Sequence, residues 1–266
     1  MKSIVHRGLI SVGIVIILGA TSAVTSTNTA QARVTTRLAT SIQPVVLFRA
    51  AEPQSNLSGT PNITPAIREK IRRGFNTTTN VRLSFDDCAS PSTLQNLLNI
   101  LVSRRVEATF FFTGVCMAQH PNFRQQIISA HQLLGNHSFD HTDYAKLSDT
   151  KIRSQLIRGT KPTTKPMLAR PPYGDLAFTV RFYNIAASLN MRPCFWTVDT
   201  RDWAGYSAAR ITHRVLIGEI GRNGTPPAKA GGMILMHGTA KHTLQALPGI
   251  IQGLRAKHLV LFSLSK

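Results

Sequence analysis

The sequence predicts an α/β fold in which helices cover a parallel β-sheet, arranged either as a barrel or as a doubly wound sheet. Short apolar runs alternate with amphipathic stretches from about residue 77 to the end of the 266-residue chain, and this pattern is typical of strands joined by helices. Unusual polar residues follow most of the apolar runs. Because the loops after the strands carry the functional groups in parallel folds, this placement supports the same fold class.

Seven short apolar runs are predicted to be strands, and amphipathic stretches separate most of them. They span residues 81–85, 108–112, 132–135, 167–170, 193–198, 233–236 and 259–262. Three of the helical stretches have a readable start, since Ser90, Ser148 and Ser207 each precede apolar residues at helical spacing. A serine in this position caps the amino end of a helix, and Pro91 directly after Ser90 strengthens that interpretation.

The chain is predicted to consist of a signal peptide at residues 1–32, a linker or stalk at 33–76 and a folded domain at 77–266. Lys2 and Arg7 precede an apolar run at residues 9–20, and a small, polar stretch then ends at Ala32. An apolar run of this length is short for a membrane span, which needs ~20 residues, so no permanent span is expected. The stalk is rich in Thr, Ser, Pro and Asn, and its apolar patch 45–48 could instead dock on the domain as an extra strand.

The chain is strongly basic, with 31 Lys and Arg against 12 Asp and Glu and a formal net charge of +19. Loss of residues 1–32 removes Lys2 and Arg7 and no acid, which leaves +17. Such a charge attracts polyanions, which outside a cell means acidic wall polymers, anionic lipid or stray nucleic acid. A solvated basic surface with no dedicated partner explains the charge equally well. The hydrophobic content of 42%, with only 16% charged residues, suits a globular protein far better than a disordered chain.

The three cysteines are too few for a disulfide framework, and they lack the paired spacing of a thiolate zinc site. Cys88 and Cys116 each lie a few residues beyond consecutive predicted strands, so their side chains could meet and form a bridge. Reduced, packed cysteines are the alternative, and Cys194 would be left over in either case.

Two groups of residues at predicted strand ends suggest a metal-dependent hydrolytic centre. Asp86 and Asp87 are adjacent and cannot both point the same way, so one can bind a metal while the other accepts a proton. The spacing of His137 and His141 predicts two imidazoles on one face of a helical turn. Each pair alone is a weak signal, since turns and chance explain such pairs. Together, two histidines and one aspartate make a three-ligand site with room for water and a substrate oxygen.

The same residues resemble the polysaccharide deacetylases of carbohydrate esterase family 4, which are related to the nodulation chitooligosaccharide deacetylase. Five stretches resemble the motifs of that family in order, each at a predicted strand end, and the resemblance runs from about residue 77 to the carboxyl end. These stretches are Ser84–Asp87, His137–His141, Arg170–Asp175, Trp196–Trp203 and Leu235–His237. The resemblance implies an irregular (β/α) barrel with about seven parallel strands and a metal site at their carboxyl ends.

The resemblance also implies a role for each residue around the metal. Asp86 would be the catalytic base, and Asp87, His137 and His141 would bind a divalent ion, with zinc the first choice and cobalt, nickel or manganese the alternatives. Arg170 would hold Asp86 ionised and oriented through a charged hydrogen bond.

The remaining roles concern the substrate and the leaving group. His237 would protonate the departing amine, and Asp202 would hold that imidazole protonated and correctly turned. The backbone N–H of Tyr173 would help to stabilise the oxyanion. Trp203 and Leu235 would line the pocket for the acetyl methyl group, although both would be equally natural as core residues.

Two positions depart from the family pattern, since Cys88 stands where glycine is usual and Thr142 where proline is common. Neither removes a catalytic group, so they concern substrate fit.

The sequence predicts a secreted or wall-associated monomeric hydrolase of carbon–nitrogen bonds, acting on N-acetylglucosamine-type residues of peptidoglycan or chitin-like glycans. No specific nucleic acid partner is expected. An inactive wall-glycan-binding module of the same fold and an O-acetyl xylan esterase are the alternatives.

Overall fold

The architecture is one seven-stranded sheet in which every neighbouring pair of strands is parallel, in the order β5-β4-β3-β2-β1-β7-β6. The computed structural model describes residues 63–262. The predicted signal peptide and the apolar patch at 45–48 lie outside them. The strands are β1 Arg82–Asp87, β2 Ala108–Phe112, β3 Leu133–Asn136, β4 Leu168–Ala169, β5 Arg192–Pro193, β6 Val198–Asp199 and β7 Met233–His237. They curl into a half-barrel, which confirms the predicted α/β fold class.

Two of the seven predicted strands differ from those in the structure. The run at 193–198 is divided between β5 and β6, because the N–H of Phe195 donates to the carbonyl of Ile71, outside the sheet, at 2.9 Å. The run at 259–262 forms only an isolated parallel bridge between Leu261 and Val81. The total of seven strands is therefore correct, although two of the individual assignments are not.

Eight α-helices accompany the strands within residues 63–262. Ser90, Ser148 and Ser207 cap three of them as predicted, each with a side-chain oxygen that accepts a backbone N–H three residues on. The helices are α1 Pro65–Arg72, α2 Pro91–Ser103, α3 Gly114–Gln119, α4 Phe123–Ser129, α5 Asp149–Arg158, α6 Val180–Ala187, α7 Ala208–Leu216 and α8 Thr243–Ala256. None of them is long and apolar enough to cross a membrane.

Helix α1 corrects the prediction of a linker for residues 65–72. Thr64 caps it and Pro65 occupies its first turn, two strong start signals. Ile71 is fully buried and anchors the helix. With eight residues and one buried side chain, α1 is too short to show an apolar periodicity in the sequence.

The two faces of the sheet have different contents, because side chains alternate along each strand. On β1, Leu83 and Phe85 face the helices and belong to the main hydrophobic core. Ser84 and Asp86 point to the opposite, inner face. Phe111 lies on that face as well, in a smaller apolar cluster with Leu168, Cys194 and Met233. The inner face therefore carries polar groups at its carboxyl end, above a small apolar base.

Candidate active site

The two aspartates at the end of β1 occupy different backbone conformations. Asp86 is in regular strand register opposite Phe111 of β2 and His237 of β7, so it lies beside His237 on the inner face. Asp87 has a φ of 72°, which is left-handed and uncommon for an aspartate. The change of conformation lets the adjacent carboxylates reach different partners.

The structure brings Asp87, His137 and His141 together. Oδ1 of Asp87 lies 3.3 Å from Nε2 of His137 and 3.2 Å from Nε2 of His141. One ligand atom from each residue can be chosen so that all three lie within 4.8 Å of one another. Three residues from the ends of two strands thus converge on one point.

The helical turn predicted for His137–His141 is wrong, because these residues form a loop after β3. Ser138 and His141 have φ values of 67° and 65°, which no α-helix accommodates. The loop is held by a side chain from α5, since Oε1 of Gln155 accepts the N–H groups of Phe139 and Asp140 at 2.9 and 3.2 Å. The two imidazoles still approach each other, with ring centres 5.0 Å apart.

These residues fit a divalent cation. Nδ1 of His137 lies 2.8 Å from the carbonyl oxygen of Arg170 and must carry the proton, because a carbonyl only accepts. Its Nε2 therefore presents a lone pair toward Asp87. Oδ1 of Asp87 is buried and has no hydrogen-bond donor within residues 63–262. Burial alone would raise the pKa of Asp87, but the two imidazoles in their protonated form outweigh it and hold the pKa well below its ordinary value.

Asp86 is paired with a fully buried arginine. Nη1 of Arg170 lies 2.5 Å from Oδ1 of Asp86 and 3.0 Å from Oγ of Ser84. Nη2 donates to the carbonyl of Phe195 at 2.9 Å, and the guanidinium lies 4.1 Å from the ring centre of Phe111. Arg170 thus stands behind Asp86 and is fixed on several sides.

His237 is held by Asp202 through both carboxylate oxygens. Nδ1 of His237 donates to Oδ1 at 2.8 Å, and its backbone N–H donates to Oδ2 at 2.7 Å. Thr243, at the start of α8, donates its hydroxyl to Oδ2 at 2.5 Å. Burial acts to lower the pKa of His237, but the hydrogen bond to Asp202 and the nearby carboxylates raise it to about 9.

Tyr173 lies in a short helical turn after β4 and has a left-handed φ of 59°. Its ring is 66% exposed and lies 4.6 Å from the ring of His141, centre to centre. The next residue must be small, because a Cβ on Gly174 would come within 2.4 Å of Phe195 and 2.7 Å of Trp196. Tyr173 and Gly174 both line the cleft described next.

A cleft of about 320 Å³ joins most of the predicted site residues. Leu235 is almost fully buried at its wall, whereas Trp203 is 54% exposed at its rim. Arg170 and Asp202 lie behind the lining residues. The cleft is lined by Asp86, Asp87, His137, His141, Tyr173, Trp203, Leu235 and His237, together with Gly174, Trp196 and Asp199, which had no assigned role.

Several supporting residues were missed by sequence reasoning. Ser84 binds Arg170, Thr243 binds Asp202, and Gln155 holds the loop of His137. Ser84 stands inside the first motif and two residues before Asp86, so strand alternation could have placed it on the same face. Nothing local in the sequence signals Thr243 or Gln155.

Of the two states considered for the cysteines, the structure has the bridge. Cys88 and Cys116 are disulfide-bonded, with their Cα atoms 5.6 Å apart, and join the residue after Asp87 to helix α3. Cys194 is unbridged and buried, 3.6 Å from Nη2 of Arg170. At the other departure from the family pattern, the backbone N–H and hydroxyl of Thr142 both donate to Asp140.

The chain is similar in sequence to known polysaccharide deacetylases. The model of the polysaccharide deacetylase family matches residues 75–194. A peptidoglycan-N-acetylglucosamine deacetylase of Bacillus cereus is 33% identical over 186 residues, which cover 66% of this chain and 64% of the relative. The chain thus spans slightly less than two thirds of the length of that protein.

Solved structures extend the likeness to the fold. A family 4 carbohydrate esterase from Streptomyces lividans, in complex with acetate, is 30% identical with a TM-score of 0.58, covering 70% of this chain and 93% of that chain. A family 4 pseudoenzyme from Bacillus anthracis is 28% identical with a TM-score of 0.59, covering 70% and 63%. A mutant of it with restored enzymatic activity matches similarly. The chain therefore belongs to the polysaccharide deacetylases of carbohydrate esterase family 4.

Proposed function

We propose that this protein is a metal-dependent hydrolase that removes acetyl groups from N-acetylglucosamine-type residues of a polysaccharide. The observation that carries the proposal is the convergence, in one cleft, of the Asp87, His137 and His141 cluster with Asp86 and His237. A three-ligand centre, a carboxylate and a protonated imidazole together suit hydrolysis of an unreactive amide. The peptidoglycan deacetylase relative supports a wall glycan as substrate, and with it secretion.

The metal would be held by Asp87, His137 and His141. When bound, a divalent cation such as zinc polarises the acetyl carbonyl and acidifies a water molecule. Asp86 would accept a proton from the attacking water as the water oxygen bonds to the acetyl carbon. Arg170 keeps the Asp86 carboxylate in place during this transfer.

The leaving group would receive its proton from the other side of the cleft. As the carbon–nitrogen bond breaks, His237 donates its proton to the sugar nitrogen, so the products are acetate and a free amine. Asp202 keeps His237 protonated until that step. The N–H of Tyr173 would donate to the developing oxyanion, and Leu235 and Trp203 would flank the acetyl methyl group.

The experiment is acetate release from peptidoglycan, chitooligosaccharides and acetylated xylan, with metal content measured alongside. Chelation should abolish release, and added zinc or cobalt should restore it. Asp86→Asn should lower turnover by roughly three orders of magnitude and retain metal, whereas His137→Gln should lose both. His131→Gln, which changes an exposed histidine outside the cleft, is the matched control.

Two outcomes would contradict the proposal. Full activity in excess chelator with no metal bound would show that the assigned cluster is not the centre. No release from any substrate by metal-loaded protein would place the chain with the pseudoenzyme instead. Faster release from acetylated xylan than from amide substrates would support the esterase alternative.

A further inference from the structure

The entry end of the sheet, opposite the cleft, carries an unusual concentration of positive charge. The acidic residues at the exit end include Asp86, Asp87, Asp199 and Asp202, which line the cleft or lie directly behind it. At the entry end, the loops after α2 and α8 contain one acid, Glu107, whose carboxylate acts on Arg82. The basic residues of those two loops are Arg104, Arg105, Lys257 and His258. The two ends of the sheet therefore differ in the charge of their loops.

The basic residues surround a groove between the carboxyl ends of α2 and α8. Arg104, Arg105, Arg255 and His258 line it, with Ser103 and residues 259–261, and its volume is about 840 Å³. Nη2 of Arg255 donates to the carbonyl of Arg104 at 2.6 Å and ties the two helix ends together. None of the lining residues is acidic. We call this the entry groove.

The backbone presents two of these basic side chains at positions that usually take glycine. Arg105 and His258 have φ values of 53° and 56°, and each occupies the left-handed position just after a helix end. The following N–H closes the helix in both cases: Val106 donates to Leu101 at 2.9 Å and Leu259 to Leu254 at 3.0 Å. The same strained arrangement therefore projects a basic side chain from each helix end.

Compensation of the helix dipoles does not account for all of this charge. The carboxyl end of a helix carries about half a negative charge, so the two ends together carry about one. Three guanidinium groups line the entry groove, which leaves an excess of about two positive charges before His258 is considered. In addition, Nε of Arg104 is buried and has no acceptor within the described part of the chain.

We propose that the entry groove binds a linear phosphodiester polymer. A phosphodiester stays ionised at any pH at which the protein folds, and its two unesterified oxygens match the paired N–H groups of a guanidinium. Successive phosphates along one chain can meet successive arginines in a concave groove. A flat bilayer surface would touch only protruding side chains, and Val260 is the one exposed large apolar residue that lines the groove.

The two sites can be occupied together. Strand β1 has six residues, and a strand rises ~3.3 Å per residue, so the entry groove and the cleft lie about 20 Å apart. A polymer in the entry groove therefore need not obstruct a glycan in the cleft. The inference concerns a second ligand and does not depend on the proposed function.

The test uses the full chain, lipid-free poly(glycerol phosphate) as the probe, and titration calorimetry at ~50 and ~200 mM salt. Arg105→Gln with Arg255→Gln should weaken binding about tenfold and reduce its salt dependence. Lys151→Gln with Lys161→Gln removes the same net charge at exposed sites outside the groove and should change the affinity less than twofold. Arg105→Lys with Arg255→Lys keeps the charge and should weaken binding by more than twofold and less than tenfold, which tests the proposal by itself if the glutamine variant fails to fold.

The proposal would be overturned if Arg105→Gln with Arg255→Gln lost no more affinity than Lys151→Gln with Lys161→Gln. Net charge alone would then explain binding. Absence of binding to the wild-type chain would do the same. Tighter binding to phosphatidylglycerol vesicles would assign the surface to a membrane, and tighter binding to polygalacturonate to carboxylate polymers. Either result would also overturn it.

Discussion

The two ion pairs that flank the cleft are built on the same carboxylate chemistry but differ in the cation. On one side, Asp86 pairs with Arg170, which is fully buried. On the other, Asp202 pairs with His237, whose side chain is 12% exposed. Arginine keeps its proton at every pH that a folded protein meets, whereas histidine can lose it. The first pair is therefore a fixed charge arrangement, and the second can transfer a proton.

The largest expected effect is on the fixed pair. Arg170→Met should destabilise the fold by about 3–5 kcal/mol, because it leaves the Asp86 carboxylate buried without its partner. The free energy of unfolding in urea measures this. Adding Asp86→Asn to the same chain should recover much of the loss, because the amide carries no charge. A double variant that is no more stable than Arg170→Met would show that Arg170 acts through packing alone.

The second effect concerns the titratable pair. Asp202→Asn should move the alkaline limb of the pH–rate profile down by one unit or more, because the carboxylate that raises the pKa of His237 is lost. Turnover measured from pH 5 to 10 on metal-loaded protein tests it. An unchanged alkaline limb would show that a group other than His237 sets it.

The same shift has a consequence for stability in the metal-free protein. The pKa of His237 rises from 6.5 to about 9 on folding. The charged form is thus favoured in the folded state, and its contribution of ~3 kcal/mol is complete below pH ~6.5 and disappears as pH rises through ~9. Urea unfolding in the presence of chelator should show this decline, and Asp202→Asn should lack most of it.

A smaller effect is expected from Thr243→Val, which removes one donor from Asp202. The substitution should cost about 1–2 kcal/mol of stability, because the buried Oδ2 keeps only the N–H of His237. It should also move the alkaline limb up by a few tenths of a unit, opposite to Asp202→Asn, because a carboxylate that loses a donor keeps more negative charge toward His237. The pH–rate profile is the measurement that separates this role from simple packing.

The smallest effect should come from Ser84→Ala, the equivalent hydroxyl deletion on the fixed pair. Arg170 keeps Asp86 and the carbonyl of Phe195, so the loss should be about 1 kcal/mol. Because Arg170 does not titrate, the alkaline limb should stay where it is. A limb that moves equally in both hydroxyl variants would remove the distinction between the two pairs.

Local signals in the sequence predicted local structure well. Ser90, Ser148 and Ser207 cap helices because a cap needs only its own first turn. The seven-strand total was predicted from apolar runs, but the break after Pro193 depends on a backbone bond between Phe195 and Ile71, far apart in sequence. A contact between residues so far apart cannot be predicted from a short stretch of sequence.

The candidate site shows the same limit. His137 and His141 were expected to meet, and they do, but through a loop held by Gln155 rather than a helical turn. Spacing alone cannot distinguish the two, because the deciding contact comes from α5. The hydroxyl of Thr243 lies 41 residues beyond Asp202 in the chain, so only the fold brings them together.

The bridge between Cys88 and Cys116 also acts on the unfolded chain. It closes a loop over a sequence separation of 28 residues that contains all of α2 and β2. Closing a loop of this size removes conformational entropy worth roughly 3–4 kcal/mol in the chain-entropy account. A chain produced in a reducing compartment would lack this contribution throughout its central strands. Cys88, which stands next to Asp87 where the family has glycine, thus makes the stability of the whole domain depend on the compartment in which the chain folds.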